Sequence, residues 1–252
     1  MFIPRLSASQ LKGMRRAGAS AARTLAHACA QIRPGLDLGA LDQRVRAHTA
    51  GEGGTPAQLG YQGFPASLCV SPNQVVCHGI PRRGQRLAEG DIVNLDVTTC
   101  LRGWHGDTSR MVAVGPISPE AQHLIQTTER AMWAGIRAIR VGAPLGVIGD
   151  AVERLAQAEG CAVVRDYGGH GIGRRMHLPP HVHHHAGTGG PTLREGMCLT
   201  VEPMLVLGSP ELRTFEDGWT VVTADGSLAA QFEHTLCVTR DGPEVLTLPP
   251  DT

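Results

Sequence analysis

LAEGDIVNLD, Leu87 to Asp96, lies over LREGMCLTVE, Leu193 to Glu202, when the chain is shifted by 106 residues. A shift of 107 extends the match upstream. Ile32-Arg33 falls on Ile139-Arg140, Gly35 on Gly142, Leu38-Gly39 on Leu145-Gly146, Val45 on Val152 and Glu52-Gly53 on Glu159-Gly160. Collinear identities at a near-constant offset are the mark of an internal duplication. Both copies of the quoted stretch end on an acid, Asp96 or Glu202, inside an apolar run of the kind that normally excludes carboxylates.

Outward from that pair, the same order of elements is predicted twice. Ser7 and Gln10 form a capping box ahead of Leu11, Met14, Ala21, Leu25 and Ile32, a helical spacing stopped by Pro34-Gly35. A second helix carries Leu38, Leu41 and Val45 and ends at Gly53-Gly54; DIVNLDVTT and WHGDTSRMVAV then read as strands. In the second half, Ser118-Pro119-Glu120 starts a helix whose apolar face is Leu124, Ile125, Met132, Ile136 and Ile139. A helix through Ile148, Val152 and Leu155 ends at Gly160, and strands follow at MCLTVEPM, WTVVT and AAQFEHTLCV. The expectation is one α+β domain over residues 1–252, with pseudo-twofold halves of about 1–115 and 116–252 whose strands meet in a central antiparallel sheet.

Composition narrows the setting. The 252 residues suffice for a substantial core. Lys plus Arg and Asp plus Glu are both 23, so no net field favours nucleic acid or a membrane surface. No window approaches the roughly eighteen apolar residues of a membrane span, and MFIPRLSASQ has no apolar signal core. The seven cysteines contain no CxxC pair, and Cys100, Cys161, Cys198 and Cys237 sit in apolar, strand-like runs as small hydrophobes. A reducing cytoplasm is expected.

Four acids stand out: Asp96 in NLDV, Asp107 in HGDTS, Glu202 in TVEPM and Glu233 in QFEHT. Asp96 and Glu202 are equivalent in the repeat, and Asp107 and Glu233 are each expected to begin the strand that follows. A twofold axis would gather all four at the centre. Taken singly, each is readable as a hydrogen-bonded or capping carboxylate. Four buried together would cost several kcal/mol per ion without compensating positive charge, which two divalent metal ions supply. His170, between glycines in YGGHGIG, is the natural fifth ligand.

With VCHGIP (Val76 to Pro81), GHGIG and DGWTVVTADGSLAAQFEHT, these motifs make the chain resemble type I methionine aminopeptidases, which have the pita-bread fold. The resemblance implies Asp96 and Asp107 on one metal, His170 and Glu202 on the other, and Asp107 and Glu233 bridging. It implies Glu202, His78 and His177 as the catalytic groups, with His78 and His177 touching substrate. Tyr61, Phe64, Cys69 and Trp219 would surround a methionine side chain. The implied substrates are peptides and nascent chains, the latter at the ribosome, losing an N-terminal (initiator) methionine that precedes a small residue. The cofactor is a pair of divalent ions, Co, Mn, Fe or Zn. A monomer with no nucleic-acid or membrane partner is expected.

The chain departs from the family pattern at Gln58, Gln62 and Met176, and in LPPHVHHHAG after His177. His181, His183, His184 and His185 are readable as a second metal-binding patch, but an exposed loop that binds metal adventitiously is the favoured reading, because Pro179 and Pro180 deny it helical spacing. Two other readings are weighed. An Xaa-Pro aminopeptidase or prolidase usually has an extra N-terminal domain, and only 95 residues precede Asp96. A non-catalytic binding protein of the same fold should have lost a ligand, and all five remain.

Overall fold

Ser7 caps the first helix as its sequence predicts. Its hydroxyl accepts from the Gln10 amide, and Gln10 Oε1 accepts from the Ser7 amide at 2.9 Å. In the computed structural model, which describes residues 2–248, this helix, α1, spans Ala8–Cys29. It stops one turn short of the expected Ile32, because Pro34 disfavours helix before it and Gly35 turns at φ 78° to reach the Leu87 carbonyl. Ile32 still packs on the core. Helix α2 (Leu38–Gly51) is capped by Asp37, and α3 (Pro119–Ala138) by Ser118 with proline in its first turn. Helix α4 spans Val147–Ala158.

Three strands are long enough to define the sheet: β1 (Ile92–Leu101), β2 (Trp104–Ala113) and, much later, β5 (Glu233–Thr239). Between them come β3 (Leu178–Val182) and β4 (Cys198–Val201). Two predicted strands are broken. MCLTVEPM divides at Glu202-Pro203 into β4 and Met204–Val206, since proline has no amide to give a ladder. AAQFEHTLCV divides at Phe232 into Ala229–Gln231 and β5. Glu233 therefore begins its strand as expected. Asp107 does not: it is the fourth residue of β2, directly opposite Thr98 of β1.

Among the described residues, nine strands join in one antiparallel sheet ordered Thr55–Pro56, β1, β2, β5, β4, Gly169–Gly171 and β3, with two further strands flanking β1 and β5. The β2–β5 pairing, Glu233 opposite Ser109, joins strands that lie far apart in the chain. Alternation along each strand then separates two faces. Val93, Leu95 and Val97 of β1 meet Leu25, Leu41 and Val45 of α1 and α2. Leu199 and Val201 of β4 and Leu236 of β5 meet Leu124, Met132, Ile148 and Val152 of α3 and α4. Asp96, Asp107, Glu202 and Glu233 fall on the alternate positions and line a common cavity. The α+β expectation holds.

Gly106 shows how tightly that geometry is held. A Cβ there would lie 2.6 Å from the Ala17 carbonyl carbon and the Gly18 amide, so α1 crosses β2 in direct backbone contact, next to Asp107. Gly106→Ala is expected to destabilise the protein by about 1–3 kcal/mol through overpacking. Urea unfolding of both proteins measures this, and a change below about 0.5 kcal/mol would show that α1 is not seated on the strand.

Candidate metal centre

Asp96 and Asp107 reach the centre from within β1 and β2, Glu202 from just past β4 and Glu233 from the start of β5, and hydrogen bonds hold several of their oxygens. Thr98 donates to Asp107 Oδ1 at 2.7 Å. Thr200 donates to Glu202 Oε1 at 2.6 Å, and Gln231 donates to Glu202 Oε2 at 3.2 Å. His170 stands on Gly169–Gly171, where a Cβ at Gly169 or Gly171 would strike backbone carbonyls. Its Nδ1 is 3.0 Å from the Gly171 carbonyl, which can only accept, so the proton sits on Nδ1. The free Nε2 lies 3.6 Å from Asp107 Oδ2 and 3.6 Å from Glu202 Oε1. One ligand atom each from Asp107, His170 and Glu233 lie within 4.8 Å of one another.

The electrostatics are those of a site built for positive charge. Burial pushes all four carboxyls up: Asp107 to about 7, and Asp96, Glu202 and Glu233 well above the usual range, with their mutual repulsion adding to it. Asp96 opens partly onto a cavity yet is hemmed in by protein, and its Oδ1 has no hydrogen-bond partner; nor has Glu233 Oε1. Burial also holds His170 down at about 3, so its imidazole is neutral. Orphaned buried oxygens, repelling carboxylates and a neutral nitrogen all fit divalent cations.

These residues floor a cavity of about 690 Å³, and every site residue anticipated from the sequence lines it. Phe64 and Cys69 form a small apolar cluster with Ala66, Ile80 and Trp219, with the Phe64 and Trp219 rings 5.1 Å apart. Tyr61 Oη lies 2.8 Å from His177 Nδ1, and the His177 ring packs edge-on to His170 at 4.2 Å. His78, at φ 56°, faces Trp219 and Tyr167, and burial lowers it to about 4. Gln58 is buried beneath them and bonds the Asp96 carbonyl and the Thr98 amide.

Two features escaped the sequence reading. Tyr167 lines the cavity without a motif of its own. The histidine run is only partly the exposed loop expected: His181 stands on strand β3, His183 to His185 follow it in a bend, and His184 is buried, its Nε2 accepting from the Glu202 amide at 3.0 Å. The signal for this was the two-residue alternation of Val182 and His184, read as loop because of the prolines.

A model of metallopeptidase family M24 matches residues 12–240. Methionine aminopeptidase A of Synechocystis sp. is 45% identical over 247 residues, 98% of each chain. The crystal structure of methionine aminopeptidase from Rickettsia prowazekii superposes with a TM-score of 0.96 at 45% identity, over 98% of this chain and 100% of that one. A prolidase from Pyrococcus furiosus superposes at 0.79 over 98% of this chain and 66% of its own, at 18% identity, and so shares the fold alone. The pita-bread expectation is thereby met.

The raised pKa of Asp107 has a measurable consequence. A carboxyl whose folded pKa lies above its unfolded value costs stability at a pH above both, and nothing below the unfolded value. With metal chelated at pH 8, Asp107→Asn is expected to raise stability by about 2–4 kcal/mol. The gain should fade as pH drops below about 7 and be gone below about 4. Denaturant unfolding across that range tests it; a less stable variant at pH 8 contradicts the burial cost of the Asp107 carboxylate.

Proposed function

The chain belongs to metallopeptidase family M24, and on that premise we propose that it is a methionine aminopeptidase. It removes the initiator methionine from peptides and nascent chains when the next residue is small. The observation that carries this reading is one cavity with the carboxylate–imidazole cluster at its floor and the Phe64–Cys69–Trp219 patch beside it. An unbranched, polarizable thioether suits such a patch.

Asp96 and Asp107 would hold one divalent ion and His170 and Glu202 a second, with Asp107 and Glu233 shared between them. Oxygen-rich ligation with one imidazole suits Mn, Fe or Co, and Zn is compatible. When bound, the ions supply Lewis acidity, lowering the pKa of the attacking water and polarising the scissile carbonyl. Glu202 takes the proton of that water and returns it to the leaving amine. Its Thr200 and Gln231 hydrogen bonds hold the carboxylate in place for both transfers. Tyr61 fixes the His177 ring by its Nδ1, which leaves Nε2 free to donate to the developing oxyanion. His78, wedged between Tyr167 and Trp219, orients the substrate backbone.

No described helix is long and apolar enough to cross a membrane. A monomeric cytoplasmic enzyme, folded as a single domain from two pseudo-twofold halves and meeting its substrates at the ribosome, is the setting this reading supplies.

His177→Ala should lower kcat by roughly 10²–10³-fold while the metal content measured by elemental analysis stays unchanged. A variant whose only defect is a raised KM would move His177 from the transition state to ground-state binding. Turnover of Met-Xaa- peptides should fall steeply from Gly and Ala to Phe at Xaa, and Ala-Pro- peptides should resist. Equal rates across the Met-Xaa- series would remove the initiator-methionine role, and preferred cleavage before proline would replace it with that of an Xaa-Pro aminopeptidase.

A further inference from the structure

The function above leaves unused the row His181, His183 and His185. Beyond Pro180 the strand-like alternation runs on through His185, with Val182 and His184 buried at 0% and 1% exposure. His181, His183 and His185 occupy the intervening positions and are exposed or half-buried. Such i, i+2, i+4 spacing puts three imidazoles on one side of the chain. Their rings pack in series, with centroids 4.4 Å apart for His181 and His183 and 5.1 Å for His183 and His185. His183 Nδ1 is buried and has no hydrogen-bond partner.

The surroundings differ from those of the carboxylate centre. His181 pairs across the sheet with His170, so the row starts one strand away from that centre. His181 also lines the carboxylate cavity, but with His183 it borders a second cavity of about 400 Å³, walled also by Pro180, Thr188 and Gly189, and no acidic side chain lines that one. An all-nitrogen donor set without carboxylates selects borderline cations over hard ones.

We propose that His181, His183 and His185 form a separate, all-imidazole site for a borderline transition-metal cation of the zinc, nickel or copper class. The three rings stand in series and their nitrogens do not converge in this structure; binding requires a side-chain rotation that brings a nitrogen of each to a common point, with water completing the coordination. A cation there gives the orphaned His183 Nδ1 the partner it lacks. The prolines that rule out helical ligand spacing are no obstacle, because the strand ending at Val182 and the bend that follows it bring the three rings into series.

The test is equilibrium dialysis of the protein, its carboxylate centre filled with Mn2+, against micromolar Ni2+. The native protein should retain about one more nickel ion than the His183→Ala/His185→Ala double variant. His185→Ala alone, which alters a half-buried side chain and keeps the strand, should bind that ion at least about tenfold more weakly. Asp107→Asn should keep it, whatever becomes of the carboxylate centre. Bound Cu2+ should show several coordinating nitrogens in its electron paramagnetic resonance spectrum. Equal nickel in the native protein and both histidine variants overturns the proposal. So does loss of the ion in Asp107→Asn, which would place the nickel among the carboxylates.

Discussion

Four carboxylates brought together out of water repel one another, and much of the active half of this molecule answers that constraint. Burial pushes up Asp96, Asp107, Glu202 and Glu233, and for Asp96, Glu202 and Glu233 the neighbouring carboxylates push further. Hydrogen bonds from Thr98, Thr200 and Gln231 satisfy some of their oxygens, while Asp96 Oδ1 and Glu233 Oε1 are left with none. A protein gains nothing in stability from such a cluster by itself. Its retention makes sense as a receptacle for cations, and the folded sheet is the spring that holds it closed.

The sheet can do this because its two faces are unequal. The helix-facing positions of β1, β4 and β5 are Val and Leu packed into two apolar cores. That packing fixes register, and a slip by one residue would turn every acid into the core. The contact of α1 with Gly106 adds a further lock beside Asp107. Stability and chemistry are thus separated by face: the helices supply the burial that offsets the repulsion on the other side.

The rim obeys looser rules. Tyr61, Gln62, His78 and His177 come from loops and tight turns, two of them at positive φ (Gln62 and His78), and His177 is exposed. Gln62 and Met176, which depart from the family pattern, line the same cavity, whereas Gln58, the third departure, is buried and hydrogen-bonded to the backbone of β1. The histidine row on and after β3 belongs to the same rim, one strand from His170.

Much of this was legible in the residues alone. The repeat, the capping box at Ser7, the Ser118-Pro119 start and the apolar spacings marked the helices, because these signals are local in the chain. The acids betrayed themselves as carboxylates in apolar strands, a conflict that local chemistry cannot resolve. Other features were decided only by tertiary contact. Pro203 and the break at Phe232 interrupt strands that read as continuous, and Asp107 sits inside β2 because Thr98 and Thr235 hold it there. His184 looked like part of a solvated run until the Glu202 amide was found donating to it. Periodicity reports which side of an element a residue occupies, whereas the partner across the sheet depends on residues more than a hundred positions away, and only the folded chain brings those together.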